Sequence, residues 1–131
     1  MAAPNIVNVT TITGVTTFVV GVSTIGSGNA ISTVVSNPAS SGKVLKINSL
    51  VASSIGSTTG ITINYYDAAT HTGAANTVSL ATTASVPTYS SLVVISKENS
   101  IYIGEGKSLG AIAQSDTSGT IDIVCSYEEI S

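Results

Sequence analysis

The sequence predicts an all-β fold: an antiparallel β-sandwich, jelly-roll or Ig-like, of about eight to ten short strands. Three observations predict it. The closing segment, Thr120 to Ser131, alternates with a period of two: Ile121, Ile123, Cys125 and Tyr127 fall on one face, and Asp122, Ser126 and Glu128 fall on the other with Val124 among them. No segment carries an i, i+3, i+4, i+7 apolar stripe, so helix is expected only as a single turn, if at all. Ser and Thr supply about three residues in ten, and hydroxyl and β-branched side chains suit strands while Glu, Lys and Arg helical stretches are missing.

The elements follow in order. Residues 1 to 42 contain no ionisable side chain; every Lys, Asp and Glu and the one His follow Gly42. Within this segment Ile6–Val9, Phe18–Val22 and Ala30–Val35 read as two or three strands, with Phe18, Val20 and Val22 on one face. Gly14, Gly26–Asn29 and Asn37-Pro38 punctuate them. The bland explanation is strands of a sandwich with Thr and Ser toward water. The sharper one is an uncharged surface that packs on another protein, because charged residues are depleted from interface cores; a free uncharged edge would invite aggregation, which favours a partner or an intimate oligomer.

Ser40-Ser41-Gly42 is a turn. The strand Lys43–Ala52 then places Leu45, Ile47 and Val51 on one face and Lys46 and Asn48 on the other. Ser53 to Gly60 is a loop or a bulged continuation. Ile61–Tyr66 alternates again, with Ile61, Ile63 and Tyr65 inward. Asp67 to Asn76 is a polar connection. Thr77–Leu80 is a short strand, and Val86-Pro87 marks an edge or a turn. Leu92–Ile95 is an apolar run of strand length. Ile101–Ile103 and Ser108–Gln114 form a hairpin around Gly104–Lys107, with Glu105 at its exposed tip. The whole, residues 1–131, reads as a single β-sandwich domain with 1–42 as its uncharged N-terminal strand segment.

Composition narrows the function. The chain has 131 residues, four Lys, no Arg, seven acids and a formal net charge of −3. No phosphate-neutralising patch exists, which argues against nucleic acid and against a basic membrane surface. Apolar runs reach about four residues, far short of a membrane span. The start has no basic n-region and no continuous apolar h-region, so it does not read as a signal peptide. One cysteine excludes an intramolecular disulfide and fits a reducing cytoplasm. Cys125 reads as a small apolar core residue.

Catalytic, cofactor-binding and metal-binding residues are each assigned as none, and no cofactor is expected. His71 is alone in a polar loop, without a second His or a paired carboxylate. Gly104–Gly106 joins two strands and lacks the helix N-terminus that binds phosphate. Glu128 and Glu129 are neighbours on a strand, so they point to opposite faces at a solvated carboxy-terminal edge. Asp116 and Asp122 have no calcium-loop spacing. A carbohydrate-binding module would show exposed aromatics, whereas Trp is absent and Tyr65, Tyr66, Tyr89, Tyr102 and Tyr127 are explicable as strand residues.

Three stretches carry a resemblance: Lys46–Ala52, Ile101–Leu109 and Ser126–Ile130. They share a strand after a Ser-Gly turn, an Ile-Tyr-Ile strand leading into a Glu-Gly turn, and a terminal Ser-Tyr-Glu-Glu strand. In these the chain resembles small virion structural proteins of tailed phages, especially those of marine cyanobacteria. The match covers roughly residues 40 to 131 and departs at Lys107, where a more acidic turn is typical. The resemblance implies a capsid decoration (cement) protein that is not an enzyme, is made in the host cytoplasm and ends in the virion. Its partners would be the major capsid protein or other virion proteins, and it would be a homo-oligomer, with a trimer as the expected count. A tail, neck, baseplate or fibre-associated component or adhesion module is the alternative.

Overall fold

The computed structural model describes residues 8–22, 24, 31–56, 59–114 and 120–131. Nine strands are assigned there: β1 (Ile12–Val19), β2 (Ser32–Asn37), β3 (Val44–Ile55), β4 (Thr59–Tyr66), β5 (Thr77–Val86), β6 (Ser91–Ile95), β7 (Ile101–Ile103), β8 (Lys107–Ala113) and β9 (Thr120–Ile130). Single 3-10 turns at His71–Gly73 and Lys97–Asn99 interrupt them.

The strands form two antiparallel sheets. Sheet A runs β1-β9-β3-β6, with β7 beside β6 on the same edge of the long β3; sheet B runs β2-β8-β4-β5. β1 contacts β2 across the sandwich at one side and β6 contacts β5 at the other. If the three-residue β7 is set aside, the chain threads two Greek keys in the order of a jelly roll.

Alternation explains the core. Ile121, Ile123 and Cys125 of β9 are fully buried, facing Ile61, Ile63, Leu109 and Ala111 of sheet B, and Tyr127 packs against their rim. At about 25 cal/mol per Å² of apolar surface, each fully buried Ile or Leu contributes roughly 1.5–3 kcal/mol. The expected inward set on β4 holds, with Ile61 and Ile63 buried and Tyr65 half-buried.

Several sequence expectations need correction. β7 and β8 do not form a hairpin: Ile101–Ile103 pairs with Ile47–Leu45 of β3 in sheet A, while β8 pairs with β2 and β4 in sheet B. The Gly104–Gly106 turn therefore crosses the sandwich. Gly106 adopts φ +68° there and donates its N–H to the Asn37 carbonyl at 2.9 Å. Glu105 is not an exposed tip. Its Oε1 accepts the Gly42 N–H at 2.7 Å, tying this crossing to the β2–β3 turn. On β3 the register slips between Ile47 and Ser49, so Asn48 forms a bulge. Leu45 and Ile47 then share the inward face with Leu50 and Ala52, and Val51 points outward. β9 is no edge, since it lies between β1 and β3. β5 extends to Val86 as an outer strand, longer than the four residues expected. At the start, β1 begins earlier than the Phe18–Val22 run and leaves Val20–Val22 beyond its end. Ile6, Val7, Gly26, Gly28, Asn29, Ala30 and Asp116 lie outside the described residues.

Candidate interaction surface

The two outer faces of the sandwich differ. On sheet B the chain covers its own face over β2, β8 and β4, while Thr77–Leu80 of β5 stays exposed. Gly110 lies under the Tyr66 ring, so close that a Cβ there would sit 2.8 Å from Tyr66 Cε2 and from Ile31 Cγ2. Asn64 Nδ2 donates to Tyr66 Oη at 3.1 Å, and Ser79 Oγ donates to Asn64 Oδ1 at 2.9 Å. The 67–76 connection is strapped over this face: Ser36 Oγ donates to the Ala69 carbonyl and Ser108 Oγ to the Ala68 carbonyl, both at 2.7 Å. Asp67 Oδ2 accepts the Asn76 N–H and its side-chain Nδ2, and these bonds hold its carboxyl below the usual carboxylate range. His71 belongs to this strap, its ring centroid 6.3 Å from that of Tyr66.

Sheet A carries no such cover among the described residues. Its outer face is arranged in rows, one residue from each strand. Register aligns Phe18 of β1 with Val124 of β9, Val124 with Val51 of β3, and Val51 with Val93 of β6. Phe18 is 69% exposed, Val93 58% and Val124 47%, with Val51 half-buried between them. Four strands at about 4.8 Å spacing make this an apolar row about 15 Å long. A hydroxyl row flanks it on one side: Thr16 Oγ1 and Ser126 Oγ are 3.0 Å apart, and Ser49 continues the line. On the other side stand Asp122, Ser53 and Ser91 in register, with Asp122 Oδ1 accepting the Gly21 N–H at 2.8 Å.

Ionic groups gather at the end of the face. Lys46 Nζ lies 3.9 Å from Glu128 Oε2, with the exposed Tyr102 paired beside Lys46. Lys43 Nζ meets Glu129 Oε2 at 2.8 Å. Exposed pairs of this kind contribute about 0–1 kcal/mol, so they orient the β3 and β9 ends more than they stabilise them. Glu128 and Glu129 thus diverge, as the strand geometry requires, and each takes a different lysine.

The remaining candidate residues are scattered. Cys125 is fully buried beneath sheet A, and desolvation pushes its thiol up to about 12. Burial also raises Tyr65 and Tyr127, with Glu129 adding to the rise at Tyr127. Tyr65 and Tyr127 turn toward the core, Tyr66 covers sheet B, Tyr102 is on sheet A, and Tyr89 stands exposed in a turn. They form no shared platform. Among the described residues no three or more His, Cys, Asp or Glu side chains are placed to hold a metal ion. No helix among them is long and apolar enough to cross a membrane.

Sequence reasoning missed the apolar row. Val124 was visible as an apolar residue on a polar face, and Val93 lay within an apolar run. The bulge at Asn48 hid Val51, and cross-strand register is not written locally. Compared with known proteins, the chain matches no family model, no curated protein and no solved structure.

Proposed function

We propose that this chain is a structural protein of a tailed-phage virion, a decoration protein that docks on the major capsid protein lattice and stabilises it without catalysing a reaction. The observation that carries the reading is the bare apolar row Phe18–Val124–Val51–Val93 on the face of a hydrogen-bonded sheet. A rigid β-face loses little entropy on docking, and apolar side chains ringed by hydroxyls match the centre and rim of a protein interface. The resemblance in Lys46–Ala52, Ile101–Leu109 and Ser126–Ile130 supplies the particle. Synthesis in the host cytoplasm, assembly into the virion and a homo-oligomeric state belong to the same proposal.

The test is particle stability. A ligand that binds only the assembled shell raises its disruption temperature by mass action. Particles carrying the protein should break at a higher temperature than particles stripped of it; equal temperatures would refute cementing. Copy number then separates shell from tail: hundreds per particle fit the lattice, and a few to tens fit the tail, neck or baseplate alternative. Asp at Thr10 or Thr16, both exposed, should reduce incorporation while the free protein still folds.

A further inference from the structure

We propose that β1 pairs with β1 of a second copy, antiparallel and centred on Thr16, joining two copies of sheet A into one continuous sheet. The proposal stands independently of the virion reading.

Among the described residues β1 has a strand on one side only, β9. Thr11 and Ser131 exchange both backbone hydrogen bonds, at 2.9 and 3.0 Å. Register runs unbroken from Ile12↔Ile130 to Val19↔Ile123. Alternation then directs the N–H and C=O groups of Thr13, Val15, Thr17 and Val19 to β9. Those of Ile12, Gly14, Thr16 and Phe18 face outward from the edge. Among the described residues no strand pairs with them. Natural edges are blunted by lysine, proline or bulges. This one has none of these, and it belongs to the segment of residues 1–42 that lacks any ionisable side chain. A charged partner strand would find nothing here to match it.

The side chains select a second copy as the occupant. Phe18 projects from the outer face, while a Cβ at Gly14 would meet no heavy atom within 4 Å. Protrusion and bare spot lie four residues apart on one face of one strand. A two-fold axis through Thr16 sets Phe18 of each copy opposite Gly14 of the other. An aromatic side chain over a strand glycine is a known stabilising pair. The same axis brings the exposed Ile12 toward the exposed Val20 of the second copy and pairs outward-facing backbone groups only with each other. An antiparallel strand pair is self-complementary and closes at two copies. The apolar rows of the two copies then lie on one shared face.

Sedimentation equilibrium at micromolar concentration tests the count. The expected mass is twice the 13.1 kDa of one chain. Thr16→Lys sets two like charges opposite each other and should weaken association by up to about fivefold, with an unchanged far-UV spectrum. Oxidative cross-linking tests the register and needs no loss of fold. Residues paired across the axis at Thr16 have Cα atoms about 5.5 Å apart, within disulfide range. The two residues at position 12 would be about 27 Å apart along the strands. Thr16→Cys should therefore give a covalent dimer and Ile12→Cys none; native Cys125 is buried and does not compete. A monomer or trimer by mass, an undiminished dimer in Thr16→Lys, or cross-linking at 12 instead of 16 would overturn the proposal. A monomer that still binds particles would sink the pairing and the homo-oligomeric state but leave the docking reading standing. A dimer that ignores particles would sink only the virion reading.

Discussion

Asn37 closes β2 and clamps the two sheets at the point where the chain crosses between them. It is 1% exposed. Its Nδ2 donates to the Lys43 carbonyl at 2.9 Å and the Ile103 carbonyl at 3.1 Å, and its Oδ1 accepts the Ser41 hydroxyl at 2.6 Å. Asn37→Ala removes all three bonds. At about 1 kcal/mol net for each, the loss is about 3 kcal/mol. The Ile103 carbonyl, left without this donor in a buried setting, adds up to about 1 kcal/mol more. Unfolding entropy of roughly 2.1 cal/mol/K per residue gives about 0.28 kcal/mol/K for the chain. A loss of about 3 kcal/mol therefore lowers Tm by about 11 °C. Thermal and urea unfolding followed by circular dichroism would measure both quantities. The exposed Asn99→Ala serves as the control and should stay within about 0.5 kcal/mol of wild type. If Asn37→Ala also stays within about 1 kcal/mol, the crossing is held by packing and the clamp reasoning fails.

Other outcomes follow from the same geometry. Gly110→Ala drives a methyl against Tyr66 and Ile31 at 2.8 Å and should cost about 1–3 kcal/mol in urea unfolding, although alanine is ordinarily tolerated in strands. Val93→Lys and Val124→Lys charge the exposed row; Tm should move by less than about 2 °C while co-sedimentation with particles is lost. Cys125 should resist thiol reagents in the native state and react at once in denaturant. Burial pushes its folded thiol up to about 12, above the ordinary value of 9.0. The unfolded chain thus releases this proton first as pH rises, so stability attributable to Cys125 is full below pH 9 and falls by about 1.4 kcal/mol per unit above it, until the folded thiol ionises. Cys125→Ala should flatten that slope in a pH series; an unchanged slope would refute it.

Local pattern was enough for the inward faces of β4 and β9. The alternation through Ile121, Ile123 and Cys125 named the inward face of β9 before any partner was known, because side chains on a strand have a fixed period of two. The same rule separated Glu128 from Glu129. It failed at Asn48, where one extra residue reverses the faces beyond it, and periodicity has no term for a bulge. It failed again at Gly104–Gly106, where a turn that looks like a hairpin carries the chain from one sheet to the other. Strands were legible in the uncharged start, but not that β1 and β2 are edge strands stacked on one side of the sandwich.

The amino-acid order by itself determined that this is a β protein, which residues can face inward on most strands, and that its one thiol is a core group. Only the tertiary structure decided which strands are neighbours, and so aligned Phe18, Val124, Val51 and Val93 and, among the described residues, left β1 paired on one side only. The physical reason is range. Side-chain alternation is a property of consecutive residues, whereas register depends on pairings such as Phe18 with Val124, which turns, bulges and core packing settle jointly.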